Sequence, residues 1–421
     1  MHIKGLIKEN LFFGSSVALA CFPLLSLKLA VYAIVLWVLA ALFELFTFKK
    51  YKNWTSPKEY FPLFLFFIVY TILLLSKDFS SESLHSLERK GALFIIPLGF
   101  YIAQQNIQER QLKTILTVFK MASTVLGLYI VIRLMPKVVD NWNFIHGDSL
   151  TYYIRTEAEK VTGIHSTYSS IYLLFSIFLF TLDLVNRFKE LVLKYQILIF
   201  INIAFLLTVC FFLQARGPIV FFIVASGIVF LTINWKKGLL ISGLSLIICF
   251  AAINYIPAFG SRFKEFYQSE KVEDVASEIN SSSIRRTIHE CSVELISEHG
   301  LGGVGYTKEY ELLNQCYEAK SPTLEVIKNY NTHNQYFDII LQTGLIGFLV
   351  FLFMLFYPLS FKLMLVRKEY LFFKLFFIMC LVTENLLARQ HGTVFFSFFN
   401  TLFISYLIGY QKNTQNKQIN D

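Results

Sequence analysis

A chain of 421 residues that is 55% hydrophobic, 17% aromatic and only 16% charged falls well short of the roughly one quarter of charged residues found in soluble domains, which argues against a water-soluble fold. Its formal net charge of +9 does not point to nucleic acid, because the Lys and Arg residues gather at the ends of apolar runs and form no basic stripe with interleaved aromatics. The apolar residues form solid blocks, such as 61–76, 197–213 and 336–359, each near the twenty or so residues a helix needs to cross a bilayer, and the alternating pattern of a barrel is missing.

The fold class that follows is an all-α integral membrane protein, a polytopic bundle of about twelve transmembrane helices with one large periplasmic loop of short helices. Taken in chain order, the runs predict helices over 10–27, 29–48, 60–76, 91–104, 113–134, 166–184, 195–213, 218–233, 239–257, 336–358, 371–388 and 393–410. The first run has no A-x-A cleavage site and passes almost directly into the second, so it reads as mature protein and not as a signal peptide. Lys49, Lys50, Lys52 and Lys58, Arg110 and Lys113, Arg187, Lys189 and Lys194, Lys236 and Lys237, and Lys362, Arg367, Lys368 and Lys374 fall at or near one side, which the positive-inside rule assigns to the cytoplasm. The expected organisation is transmembrane helices over 1–257, a periplasmic catalytic loop over 258–335, transmembrane helices over 336–410 and a polar cytoplasmic tail over 411–421.

Two polar segments face the other side, 135–165 and 258–335. The larger holds eight Lys and Arg against twelve Asp and Glu, net −4, so the positive balance of the chain arises elsewhere. Within it Ile284, Ile288, Val293 and Ile296 recur near helical spacing, predicting a short amphipathic helix over 281–298 with Ser281, Ser282 and Ser283 as capping candidates. No internal repeat supports a transporter built from inverted halves. Cys21, Cys210, Cys249 and Cys380 sit in apolar runs as small hydrophobes. Cys291 and Cys316 lie in the loop and could pair if it faces an oxidising compartment, although spacing alone does not decide this. No Cys and His set has metal-ligand spacing, so neither metal nor cofactor is expected.

Several polar residues stand where apolar runs meet the polar face. Arg216, in Gln214-Ala215-Arg216-Gly217-Pro218, sits in a tight turn between two runs. It reads either as a snorkelling interfacial side chain or as a guanidinium fork for phosphate. Arg285 and Arg286 open the loop helix, where neighbours diverge by about 100°, so one can face the bundle and the other solvent; Arg285, between Ile284 and Ile288, is the inward candidate. The run His299-Gly300-Leu301-Gly302-Gly303-Val304-Gly305 formally matches a dinucleotide-binding fingerprint but lacks its strand and helix, and reads better as a helix stop with close backbone approach. His333, in Thr332-His333-Asn334-Gln335, stands where the loop re-enters the membrane, and an imidazole there suits general-base work, although a lone interfacial histidine is commonly inert. Glu384, Arg389 and His391 collect at the same end of the last helix pair, where a structural salt bridge of Glu384 with Arg389 or Arg216 is as good a reading as a substrate role. His165 and Tyr168 close the smaller polar segment on that face.

In this order and topology, Gln214 to Pro218, Ser283-Ile284-Arg285, His299 to Gly305, and His333-Asn334 before Gln342-Thr343-Gly344-Leu345-Ile346-Gly347 resemble the O-antigen ligase and Wzy-type O-antigen polymerase superfamily of bacterial envelope glycan enzymes, chiefly over residues 195–400. The resemblance implies a metal-independent, inverting glycosyl transfer from an undecaprenyl-pyrophosphate-linked glycan to a glycan or lipid acceptor hydroxyl, at the periplasmic face of the inner membrane. It assigns Arg216 and Arg285 to the pyrophosphate and His333 to the acceptor proton. Arg286, Asn334, Glu384, Arg389, His391, His165 and Tyr168 are the candidate substrate-binding residues around them. Gln342 stands where many members carry an acidic residue. Ligase and polymerase share this pattern; a lipid-linked oligosaccharide flippase or a non-catalytic scaffold would share the helices, but would not need a histidine at the re-entry point.

Overall fold

The computed structural model describes residues 11–47, 58–103, 107–141, 148–233, 235–236, 238–239, 243, 281–320, 329–357, 365 and 367–420. The described residues are helical or lie in turns, with no strand among them. In chain order the helices are α1 (Leu11–Leu19), α2 (Leu27–Thr47), α3 (Phe61–Lys77), α4 (Ser81–Lys90), α5 (Ala92–Ala103), α6 (Glu109–Asp140), α7 (Asp148–Thr162), α8 (Ser166–Arg187), α9 (Leu193–Phe212), α10 (Arg216–Ile233), α11 (Ser281–His299), α12 (Tyr306–Lys320), α13 (Gln335–Phe356), α14 (Lys368–Cys380) and α15 (Gln390–Asn420).

Among the described residues eight helices are long and apolar enough to cross a membrane: α2, α3 with the short turn before it, α6, α8, α9, α10, α13 and α15. Three further expected spans are shorter helices. The first run stops at Leu19 and gives way to a 3-10 turn over Phe22–Leu24 that contains Pro23, whose missing N–H cannot continue an α-helix. The run over 91–104 is α5. The run over 371–388 ends as α14 at Cys380, because Thr383, Glu384 and Asn385 turn the chain back toward α15 instead of extending the helix. The expected helix over 239–257 lies outside the described residues, as do Lys49, Lys50, Lys52, Lys237 and Lys362.

Burial separates centre from rim. Every residue of the apolar window of α15 is buried, against 17% of that of α9, so α15 is the axis of the bundle and α9 faces outward. α15 packs on α5, α13 on α3, α10 on α14, and α6 and α9 on α8. The axis is aromatic: Phe395 and Phe399 meet Phe22, Phe119, Phe175 and Phe373 at centroid distances of 4.7–6.2 Å, within the range of favourable edge and offset ring contacts. At the lysine-rich end, Arg367 pairs with Glu109 and lies over the Tyr406 ring, clasping α6 to α15.

The two loop helices form a hairpin closed by a disulfide between Cys291 of α11 and Cys316 of α12, around a small core of Ile288, Leu295, Leu313, Tyr317 and Leu341. Three anchors fasten it to the bundle. The Asp78 carboxylate accepts the Thr307 amide at 2.7 Å and the Ser83 hydroxyl at 2.6 Å, and although burial acts upward, these bonds hold it at about 2. Glu309 of α12 is fully buried and accepts from Gln342 Nε2 at 2.7 Å, while Gln342 Oε1 accepts from the Tyr70 hydroxyl at 2.5 Å. The glycine-rich segment after α11 is the third. Gly344 interrupts α13 with φ +77°, and the freed backbone is taken up by the loop: Val304 and Gly305 amides donate to Leu341 and Gln342 carbonyls at 2.6 and 3.1 Å, and the Leu345 amide to the Leu301 carbonyl at 3.2 Å. A Cβ at Gly303 would lie 2.4 Å from the Gly344 nitrogen, so this run serves close backbone approach, as its sequence suggested.

Candidate active site

Four segments meet at the end of the bundle that bears the loop helices. The turn between α9 and α10 enters through Gln214, held at φ +54°, and the Arg216 amide bonds back to the Gln214 carbonyl at 3.0 Å. Half-buried Arg216 thus opens α10 at the mouth, and the next residue abuts the turn between α14 and α15: a Cβ on Gly217 would sit 2.8 Å from Thr383 Oγ1. The guanidinium of Arg216 and the carboxylate of Glu384 therefore belong to adjoining turns.

His333 leads into α13. Its φ of +46° is an uncommon conformation for a side-chain-bearing residue and tends to mark functional positions. It is stabilised from both sides: its amide donates to Asn331 Oδ1 at 3.1 Å, and Asn334 caps α13 by accepting the Tyr336 and Phe337 amides at 2.9 and 3.3 Å. Asn334 thereby spends its side-chain oxygen on the helix. The ring of His333 lies edge-on to Tyr330, with its Nδ1 buried 3.7 Å from Glu384 Oε2.

Glu384 is the hub. Its other oxygen lies 3.6 Å from Arg285 Nη2, whose side chain is 58% exposed, so the α11 arginine bridges the mouth without being used up there. Burial pushes the Glu384 carboxyl up, but His333, Arg285 and His165 outweigh it and hold it below the usual carboxylate range. Arg286 diverges as helical geometry requires and pairs with Glu290 at 2.9 Å on the exposed face.

The remaining candidates form a second patch beside Glu384. The Tyr168 ring stands 6.2 Å from His165 and 6.0 Å from His391, and its hydroxyl reaches the Asn385 and Leu386 carbonyls at 3.4 Å. His165 caps α8 and lies 3.6 Å from Glu159. Burial holds its imidazole below the ordinary value, against the pull of Glu159 and Glu384. Exposed Arg389 completes the patch, its charge reaching His165, Tyr168 and His391.

Sequence reasoning missed Asp338, Gln335, Asn385 and Glu309, a buried polar layer directly beneath His333 and Glu384. A signal was present: Asp338 is the one charged residue of the 22-residue α13, and an ionisable group at membrane depth is a functional candidate by default. For Gln342, a carboxylate does reach that point, delivered from α12 by Glu309. Among the described residues no group of three or more His, Cys, Asp or Glu side chains is arranged to hold a metal ion.

A search of curated proteins gives no match to the chain. Residues 201–352, the stretch that contains Arg216, Arg285 and His333, match the family model Wzy_C, described as O-antigen ligase, a match that supports the resemblance of this stretch to the O-antigen ligase and Wzy superfamily.

Proposed function

We propose that the protein is a glycosyltransferase that moves an undecaprenyl-pyrophosphate-linked glycan to an acceptor hydroxyl at the periplasmic face of the bacterial inner membrane. The observation that carries this reading is the placement of Glu384 between Arg285 and His333 at the mouth of the bundle, beside the turn of Arg216. Arg216 and Arg285 hold the donor pyrophosphate and stabilise the charge that grows on it as the anomeric bond breaks. Because pyrophosphate is a good leaving group, two such forks suffice without a metal. With Nδ1 turned to Glu384, His333 keeps its Nε2 lone pair for the acceptor hydroxyl, takes that proton as the oxygen attacks the anomeric carbon, and is steadied by the carboxylate as it becomes cationic. Attack opposite the departing pyrophosphate inverts the anomeric centre. The patch of Tyr168, His165, His391 and Arg389 offers donors and ring faces on which the acceptor can rest.

A periplasmic setting for the loop is supported by the disulfide between Cys291 and Cys316, since such bonds persist in oxidising compartments, and by the lysine-rich opposite end. A Wzy-type polymerase, with a second lipid-linked glycan as acceptor, would use the same chemistry. The test is reconstitution with a lipid-pyrophosphate glycan and either lipid A–core or the same lipid-linked glycan as acceptor, scoring single transfer against ladder formation. His333→Ala is expected to lower transfer by about 10²–10⁴-fold with donor binding intact. Unchanged transfer would sink the mechanism, and translocation of donor without transfer would favour a flippase.

A further inference from the structure

Asp338 is 2% exposed and has both oxygens engaged by side-chain amides. Asn385 Nδ2 donates to Oδ1 at 2.8 Å and Gln335 Nε2 to Oδ2 at 2.9 Å. Each amide is also fixed at a second point. Asn385 Nδ2 lies 3.2 Å from Thr332 Oγ1, whose hydroxyl donates to the Asn334 carbonyl at 2.9 Å. Gln335 Oε1 accepts the Leu387 amide at 2.7 Å, and the Gln335 amide donates to the Leu381 carbonyl at 2.9 Å. Lys90 of α4, itself buried with Nζ 3.1 Å from Ser86 Oγ, supplies compensating charge to the carboxylate.

The covalent neighbours give this network its meaning. Thr332 immediately precedes His333, and Asn385 immediately follows Glu384. The separation of 3.7 Å between His333 Nδ1 and Glu384 Oε2 is longer than a hydrogen bond, so the pair does not hold itself together. The two segments that carry it are instead sewn together one layer below, and Asp338 is the acceptor on which both amides converge.

We propose that Asp338 is a positioning residue for glycosyl transfer: through Asn385 and Thr332 its carboxylate sets the register of Glu384 against His333. This rests on the reading of His333 as the base. Asp338→Asn preserves size but sets an –NH2 group against one of the two amide donors. The exchange Asp338→Asn with Asn385→Asp restores both contacts of residue 338 with the polarity of one reversed: the new amide's oxygen takes the Gln335 donor, its nitrogen donates to the new carboxylate at position 385, and the Thr332 hydroxyl turns from the Asn334 carbonyl to donate to that carboxylate in place of the amide it has lost.

The test uses the purified full chain in lipid nanodiscs, with a lipid extract of the producing bacterium as the source of donor and acceptor, and initial rates measured against extract concentration. Misplacing a catalytic pair by about 1 Å costs on the order of 10²-fold. Asp338→Asn is accordingly expected to lower kcat about 100-fold with KM within about twofold, and the exchange variant to recover about tenfold or more. A wild-type kcat in Asp338→Asn, a loss confined to KM, or an exchange variant no better than the single one overturns the proposal. His333→Ala is measured alongside. If it is fully active, the base reading falls and the proposal with it; if it is inactive while Asp338→Asn is unimpaired, only the positioning role falls. Should Asp338→Asn fail to fold, Thr332→Val, which removes the hydroxyl joining Asn385 to the His333 segment, decides the matter. About a tenfold drop in kcat at constant KM supports the role, and a wild-type kcat overturns it.

Discussion

The Glu384 carboxylate lies 3.6 Å from the Arg285 guanidinium and 3.7 Å from the His333 imidazole, so one acid from the α14–α15 turn faces both the loop hairpin and the re-entry segment. Its folded-state ionisation is depressed by these partners despite burial. The stabilisation is therefore complete above the unfolded carboxyl value of about 4.3 and is lost as pH falls through the lower folded value. Thermal unfolding of wild type and Glu384→Gln is expected to show a gap that is present at about pH 5 and closes below about pH 4. A gap that widens on acidification would contradict this assignment.

Glu309 behaves in the opposite sense. Burial, and then the Asp338 carboxylate, push it well above the usual carboxyl range, so the folded protein holds a proton there that the unfolded chain releases. Docking of α12 is strongest below about pH 4.3 and weakens as pH rises toward the folded value. Glu309→Gln keeps the contact with Gln342 and has no proton to lose. It is expected to melt above wild type at about pH 8, with the difference vanishing near about pH 4. Differential scanning fluorimetry across pH measures both.

The two neighbouring arginines of α11 should separate cleanly in transfer assays. Arg285 faces Glu384, whereas Arg286 is spent on an exposed i,i+4 pair with Glu290, an interaction of about 0.3–0.5 kcal/mol. Arg285→Ala is expected to lower kcat/KM by about 10–100-fold, the size of a lost charge-assisted contact of about 1.5–3 kcal/mol. Arg286→Ala should stay within about threefold of wild type, since a few tenths of a kcal/mol changes a rate by less than that.

Closing a loop of 25 residues by the Cys291–Cys316 bond stabilises the hairpin by about 3.5 kcal/mol in the chain-entropy model. Because α11 carries Arg285, reduction should cost activity as well as stability. Dithiothreitol, or Cys291→Ser with Cys316→Ser, is expected to increase proteolysis within residues 281–320 and lower transfer. Donor retention is expected to fall in parallel, and full activity with a freely cleaved hairpin would separate the two.

Much of the helix content was legible because lipid exposure forces long apolar blocks, and the polar interruptions that mark Arg216, Arg285, His333 and Glu384 are conspicuous against them. The end of the helix at Cys380 was not legible. Leu381 and Val382 continue the apolar run, and only the tertiary fit of Thr383 against Gly217 and of Asn385 against Asp338 turns the chain there. Glu309 was hidden for a related reason: a glutamate among Lys308, Tyr310 and Glu311 reads as solvated until α12 is laid against Gln342. Sequence periodicity reports which face of a helix is apolar, and it is silent on which polar residue a neighbouring element will claim.

The break in α13 at Gly344 has a consequence for how the protein could be recombined. The carbonyls of Leu341 and Gln342 and the amide of Leu345, inside a helix otherwise fit to cross the bilayer, find their partners in Leu301, Val304 and Gly305. A hydrophobic span whose backbone is completed by a polar hairpin cannot mature before that hairpin does. Deleting the loop alone would leave these groups orphaned in an apolar setting, whereas a cassette cut after Gly347 would carry its own complement and is the natural unit of exchange.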